Sequence, residues 1–323
     1  MRADAPIFRR ARIAASPRRV RRPRLAPSQV TEPASPASPA SVPDSGPSDR
    51  IAVVVATYNQ PRMLAAVLEG YLAQRDPGFE LLVADDGSTG ETAELVAAFA
   101  RRAPFAVRHV WQEDRGFRLA ASRNRAIAAT AAGYVILTDG DCIPPSDFVA
   151  AHRRLREPGR FLGGNRILLR EGFSRRVLDE GLPIHRWTAR DWVAARRSGQ
   201  VNRLLPLARV PLGPVRRLRG RNWPAARGCN ISAYRSDLER VNGFDEAYEG
   251  WGMEDSDLAI RLIRAGVLYK SARLAAPLFH LWHREYDRSR LPENQRQLRE
   301  LLESDRVRAR RGLDRYAPPP PGR

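Results

Sequence analysis

Four strand-length runs constrain the fold of this chain more than any other feature: IAVVVA (51–56), FELLVA (79–84), VRHVW (107–111) and YVILT (134–138). They are rich in branched apolar side chains; all four read as strands, the first and fourth as buried ones. Between the first two, Pro61 opens a helical pattern that sets Met63, Leu64, Val67, Leu68, Tyr71 and Leu72 on one side. Helical patterns recur over 91–102 and 119–131. Strands alternating with helices predict an α/β fold with a doubly wound, mostly parallel sheet and helices on both faces. Such sheets bind ligands outside the carboxyl ends of their strands. Here those ends carry Asp85, Asp86, Asp139 and Asp141.

Composition narrows the classes. In 323 residues no run approaches 18 consecutive apolar positions, so the sequence predicts no spanning helix. Two cysteines, Cys142 and Cys229, exclude a disulfide scaffold and a Cys-rich zinc module; they read as packed thiols and suit a reducing cytoplasm. The net charge of +19 comes from 55 basic residues, of which only Lys270 is lysine. That charge favours anionic partners such as nucleotide phosphates or an anionic lipid surface. No nucleic-acid motif is present and the basic residues are scattered, so specific nucleic-acid binding is not expected. Residues 1–50 combine ten arginines with the run PASPASPASVP and few large apolar residues, which predicts a disordered basic tail without a secretory apolar core.

Neither GxGxxG nor a Walker lysine motif follows the first strand, which argues against a dinucleotide cofactor. Asp139-Gly140-Asp141 places two repelling carboxylates beside a glycine, a site where a divalent cation would relieve the repulsion. Asp85-Asp86-Gly87-Ser88 offers acceptors for a nucleobase or ribose. In WGMEDSDLAIRL (251–262), Glu254, Asp255 and Asp257 precede a helix, and Trp251 offers a face for a sugar. Acids also favour a helix's first turn, which accounts for one or two of them; a carboxylate reaching a hydroxyl can act as general base. His280 and His283, three apart, would form with Asp141 a mixed nitrogen and oxygen site suited to Mn²⁺ or a similar ion.

These stretches resemble a known family. VVVATYNQ, LLVADDGS, RGFRLAASRNRAIAAT and VILTDGDC, within 51–141, resemble the catalytic half of family-2 nucleotide-sugar glycosyltransferases of the GT-A fold. GCNISAYR, VNGFDEAYEGWGMEDSDLAIRL and HLWH, within 228–283, are similar to a C-terminal region shared by β-1,4-galactosyltransferases and chondroitin-synthase-type enzymes. The resemblance implies that Thr57, Tyr58 and Asn59 line a nucleotide pocket and that Asp85 or Asp86 binds uracil or ribose. It implies that Asp139, with Gly140, lies against ribose or metal and that Arg123 assists the leaving diphosphate. Asp141 and His283 would hold Mn²⁺ (or Mg²⁺), and His280 stands where the galactosyltransferases carry a methionine ligand. Trp251 and Glu254 would contact donor sugar and acceptor, and Asp255 would be the general base. The implied reaction is inverting hexosyl transfer from a nucleotide sugar, with UDP as the expected nucleotide. The acceptor would be a bacterial glycan or lipid-linked glycan in polysaccharide synthesis. A catalytically silent nucleotide- or glycan-binding module is the alternative.

The expected organisation is a tail (1–50), a nucleotide-sugar half (51–141), an acceptor and connecting region (142–227), a base and metal-histidine region (228–290) and a C-terminal helix and tail (291–323). Residues 165–225 match neither motif set. RWTARDWVAARR and VPLGPVRRLRGRNWP alternate basic and apolar patches, read here as a basic amphipathic surface docking on anionic lipid or a lipid-linked acceptor, with the protein peripheral to the inner membrane; a solvated helical subdomain is the alternative.

Overall fold

The computed structural model describes residues 49–316. Apart from Asp49 and Arg50, the expected disordered tail lies outside the described residues. The order begins β1 (Ile51–Thr57), α1 (Pro61–Leu72), β2 (Phe79–Asp85), α2 (Gly90–Ala100), β3 (Val107–Trp111), α3 (Leu119–Ala129) and β4 (Tyr134–Asp139). It continues with β5 (Cys142–Ile143), α4 (Phe148–Leu155), β6 (Arg160–Gly163), β7 (Asn165–Leu168), α5 (Glu171–Asp179) and α6 (Ala189–Arg197). After three 3-10 turns come β8 (Asn230–Tyr234), α7 (Arg235–Arg240), α8 (Glu254–Arg264), β9 (Leu268–Ser271), β10 (Pro277–His280) and α9 (Leu291–Leu302).

The main sheet runs β3-β2-β1-β4-β8-β6-β9. All its pairings are parallel except those of β8 with β4 and β6. All seven residues of β1 are buried, because its side chains alternate between two cores. Ile51, Val53 and Val55 join the core under α1 and α2, and Ala52 and Val54 join the one under α3 and α8. Each large aliphatic buried this way contributes about 1.5–3 kcal/mol. The chain leaves β1 toward β2 on one side and reaches β4 on the other, so the topological switch point lies between β1 and β4.

A second sheet, β5-β10-β7, sits beside that point. β10 runs antiparallel to β5 with His280 opposite Cys142, and parallel to β7 with Leu278 opposite Arg166. The Leu281 N–H donates to the Asp141 carbonyl at 2.9 Å. This register brings the far C-terminal histidines to the acid at the end of β4.

The RWTARDWVAARR stretch departs from the amphipathic surface expected of the connecting region. Trp192 on α6 is buried, stacked on Phe279 at 4.2 Å between ring centres, with Trp187 beside it. Trp223 is buried as well. These tryptophans fill the protein's own core, so this helix does not present its apolar face to a membrane. Among the described residues, no helix is long and apolar enough to cross a membrane.

Candidate active site

At the switch point, the ends of β1 and β4 and the start of α8 enclose a cleft of about 230 Å³. Thr57, Tyr58, Asp86, Arg123, Asp139, Gly140, Asp141, Trp251, Glu254 and Asp255 all line it. Tyr58, 40% exposed, stands at the open rim, its hydroxyl donating to Asp114 at 2.9 Å.

The adjacent acids of the β2 turn separate by the alternation of a strand. Asp85 is fully buried, accepting from the Ser88 N–H at 2.8 Å and lying 2.8 Å from His109 Nε2. Those partners bind it to the turn, and it does not line the cleft. Asp86 does, and it accepts from Gln112 Nε2 at 2.5 Å and the Arg118 N–H at 2.6 Å. Burial pushes its pKa up to about 6, against the pull of those donors. Asn59 is also absent from the cleft wall. With a left-handed φ of 46°, it ties the β1 turn to the β2 turn, accepting from the Thr89 N–H and donating its own N–H to Ser88.

Gly140 has a cause the sequence did not reveal. A Cβ there would lie 3.0 Å from the Ala56 carbonyl and 3.2 Å from Thr57, so the glycine lets the β4 turn close on the end of β1. Arg123 is 1% exposed, with Nη2 2.7 Å from Asp139 and Nη1 3.3 Å from Glu254. It serves as the counter-charge between two acids and is not free to swing toward a diphosphate. Burial, and then repulsion from Asp141, keep the Asp139 carboxyl raised despite Arg123.

Asp141, His280 and His283 form one cluster whose donor atoms lie within 4.8 Å of one another. Nε2 of His283 is 3.1 Å and Nε2 of His280 3.5 Å from the same Asp141 oxygen. His283 Nδ1 lies 2.6 Å from the Arg284 carbonyl, a contact that requires its proton there and leaves Nε2 free to ligate. Burial acts against ionisation of Asp141, yet the two imidazoles hold its carboxyl well below the usual range. Burial pushes His280 down to about 4, so it is neutral and able to ligate. One carboxylate and two neutral-capable imidazoles fit a borderline divalent ion such as Mn²⁺.

At the opposite wall, Met253 adopts a left-handed φ of 78° immediately after Gly252 at 101°. This strained turn begins α8 and aims Glu254 and Asp255 into the cleft. Asp255 accepts from the Gly228 N–H at 2.8 Å and the Ser256 N–H at 2.6 Å. Burial, together with the Asp255 charge, pushes Glu254 up to about 7. Asp257, the third acid of the motif, is fully buried and paired with Arg261 at 2.5 Å, a structural role. Trp251 lines the cleft with Arg288 4.6 Å over its ring.

Sequence reasoning missed Arg166, Arg227, Gln60 and Tyr286, all of which line the cleft. Arg166 lies on β7, in a stretch without motif; only the pairing with β10 places it near the histidines. Asp139 and Asp141 raise its pKa further against burial, after the larger influence of the two cysteines. Cys142 and Cys229 are buried and free of disulfide, and Cys229 lines the cleft. The Cys142 thiol donates to Asp141 at 3.1 Å, and Cys229 accepts from Arg166 at 3.7 Å.

A mostly parallel sheet with acids at its switch point, an Asp-His-His cluster and paired carboxylates across the cleft define a GT-A type α/β protein. Sequence comparison agrees. Residues 52–164 match the model for glycosyl transferase family 2, and residues 219–284 match that for the N-terminal domain of galactosyltransferase. The likeness to family 2 glycosyltransferases thus covers residues 52–164, and that to galactosyltransferases residues 219–284. It is 26% identical over 244 residues to chondroitin synthase of Escherichia coli, an alignment covering 69% of this chain and 33% of that protein. The chain thus spans about a third of that relative's length. Among solved structures, TarS 1–349 of S. aureus in complex with UDP-GlcNAc superposes with a TM-score of 0.56 at 16% identity, covering 83% of this chain and 69% of that one. The mannosyltransferase PcManGT of Pyrobaculum calidifontis, in complex with GDP-Man and Mn²⁺, gives 0.50 at 22% identity, covering 73% and 58%. At these identities the structural likenesses establish the fold.

Proposed function

We propose that the protein is an inverting glycosyltransferase that moves a hexosyl group from a nucleotide sugar, with UDP as the nucleotide, to a hydroxyl of a glycan or lipid-linked glycan. The observation that carries this reading is the convergence of Asp86, Asp139, Asp141, Glu254 and Asp255 on one cleft at the sheet's switch point, with His280 and His283 clustered on Asp141. PcManGT with GDP-Man and Mn²⁺, and TarS with UDP-GlcNAc, support a nucleotide-sugar donor. Part of the donor would lie over the open rim beside Tyr58.

Asp86 would accept a hydrogen bond from the nucleobase or ribose, and Thr57 and Tyr58 would flank the base. Asp141, His283 and His280 would hold Mn²⁺, or Mg²⁺ in its place. Such an ion supplies Lewis-acid stabilisation of charge on the departing diphosphate. Arg166 and Arg227, the cations of the cleft that lack a carboxylate partner among the described ion pairs, would add to that stabilisation. Trp251 would stack on a sugar face. Asp255 would take the proton from the acceptor hydroxyl as its oxygen bonds to the anomeric carbon and the bond from that carbon to the diphosphate breaks. Attack from the face opposite the phosphate inverts the configuration. A cytoplasmic place, peripheral to the membrane, belongs to the same proposal and is supported by the two free thiols.

A screen of nucleotide sugars for Mn²⁺-dependent hydrolysis and thermal stabilisation tests the reading. One UDP-sugar is expected to be hydrolysed, with a product of inverted anomeric configuration by proton NMR. Failure of every nucleotide sugar to stabilise the protein would contradict it.

A further inference from the structure

The segment 204–219 holds two 3-10 turns, Leu205–Ala208 beside β7 and Gly213–Arg217 against β9. Beneath it lies a cavity of about 440 Å³, separate from the cleft. Arg154, Arg209, Arg216, Arg217 and Lys270 line it, and no carboxylate does. Among the described residues, two acids answer these five cations. Arg209 pairs with Asp147 at 2.6 Å, while Arg217 and Lys270 share Glu157 at 3.1 and 2.8 Å. Arg216 is buried and donates to the carbonyls of Val210, Ser271 and Arg273. Burial, and then the Arg154 charge beside it, press the Arg216 pKa below its ordinary value, a sign of positive charge gathered in one place.

The same segment exposes its aliphatic side chains. Leu218 is 76% exposed, Leu205 68% and Val215 56%. Val215 and Leu218, three apart around a 3-10 turn, share one side of it. A single exposed leucine is ordinary, but three exposed aliphatics within fifteen residues, two of them flanking the cavity-lining Arg216 and Arg217, form a pattern. Free phosphate would satisfy the cations and leave the aliphatics in water. Nucleic acid would do the same. An anionic bilayer surface meets both demands, with phosphates at the level of the cations and acyl chains just beyond.

The geometry points to the face formed by residues 204–219 as a docking surface for an anionic phospholipid bilayer, with a headgroup phosphate entering the Arg154–Arg209–Arg217 cavity and Val215 and Leu218 inserting among acyl chains. This gives the membrane contact of the proposed function a location; it rests on that reading only for its biological sense. The surface overlaps the stretch VPLGPVRRLRGRNWP that the sequence suggested, whereas RWTARDWVAARR, the other stretch named there, turns Trp187 and Trp192 inward.

Flotation of the full chain with vesicles of equal parts phosphatidylcholine and phosphatidylglycerol tests it, with pure phosphatidylcholine as control. The wild type is expected to float with the mixed vesicles alone, and less as salt is raised. The double variant Val215→Asp, Leu218→Asp is expected to lose binding at least about tenfold while keeping its melting temperature and nucleotide-sugar hydrolysis, and Arg154→Ala to weaken binding. Absence of wild-type flotation at low salt would overturn the inference. Wild-type flotation by the double variant would also overturn it and shift the contact to the arginine-rich residues 1–50. Tighter binding of duplex DNA than of vesicles, lost in Arg154→Ala, would overturn it as well. Donor hydrolysis without flotation removes this surface and leaves the transferase reading intact; flotation without hydrolysis does the reverse.

Discussion

Glu254 and Asp255 are consecutive, yet their surroundings assign them different work. Two backbone N–H groups hold Asp255 at the cleft, whereas Glu254 is wedged between Arg123 and its neighbour's charge. Asp255→Asn is expected to lower turnover at least about a hundredfold while UDP still binds; retained turnover in a steady-state assay would move the base elsewhere, to Glu254 first. Glu254 carries a pH signature. Its folded pKa of about 7 lies above the ordinary 4.5, so the folded chain keeps a proton that the unfolded chain releases. Glu254 therefore costs stability as pH rises from 4.5 toward 7. In Glu254→Gln that cost disappears, and its melting temperature should gain on the wild type between pH 5 and 7.5. A gap that does not change with pH would contradict the burial of Glu254. At this scale the sequence was half legible. It marked both Asp85 and Asp86, but strand alternation turns one inward, and which one depends on the pairing of β2.

At the scale of elements, β10 has the largest consequence for its length. Four residues, Pro277–His280, join β5 to β7 and deliver His280 to Asp141. Their back is braced by the stack of Trp192 on Phe279. Trp192→Ala is expected to cost about 3–5 kcal/mol and to weaken Mn²⁺ affinity, although Trp192 touches no proposed ligand. Thermal melts and metal titration together check this; lost stability with unchanged metal affinity would show that β10 holds its place without the stack. The long strands β1, β2 and β4 were legible because burial on both faces writes an apolar run into the sequence. β5, β7 and β10 were not. They are two to four residues long, too short for a period, and their partners lie far away in the chain. Arg166 was missed for the same reason, since its place follows from the β7–β10 register.

Across the whole molecule, two distant stretches of sequence close one cleft. The first half supplies the sheet's switch point with Asp86, Asp139 and Asp141, and the second supplies the paired acids of α8 and, on Asp141, the histidines at and just after the end of β10. Local motifs announced the residues, and the sheet order explains their meeting. The connecting region yielded least to sequence reading. Its basic and aromatic patches look alike in one dimension, and only burial separates the tryptophans of the core from the exposed Val215 and Leu218. The central claim is that Asp141, His280 and His283 form an ion site that governs nucleotide binding. Calorimetric titration of UDP with Mn²⁺ or with EDTA tests it most directly. Mn²⁺ should tighten binding to the wild type at least about tenfold, or 1.4 kcal/mol, and should have no effect in Asp141→Ala or His283→Ala. UDP affinity indifferent to Mn²⁺ in the wild type, or equally responsive in both variants, would contradict the account.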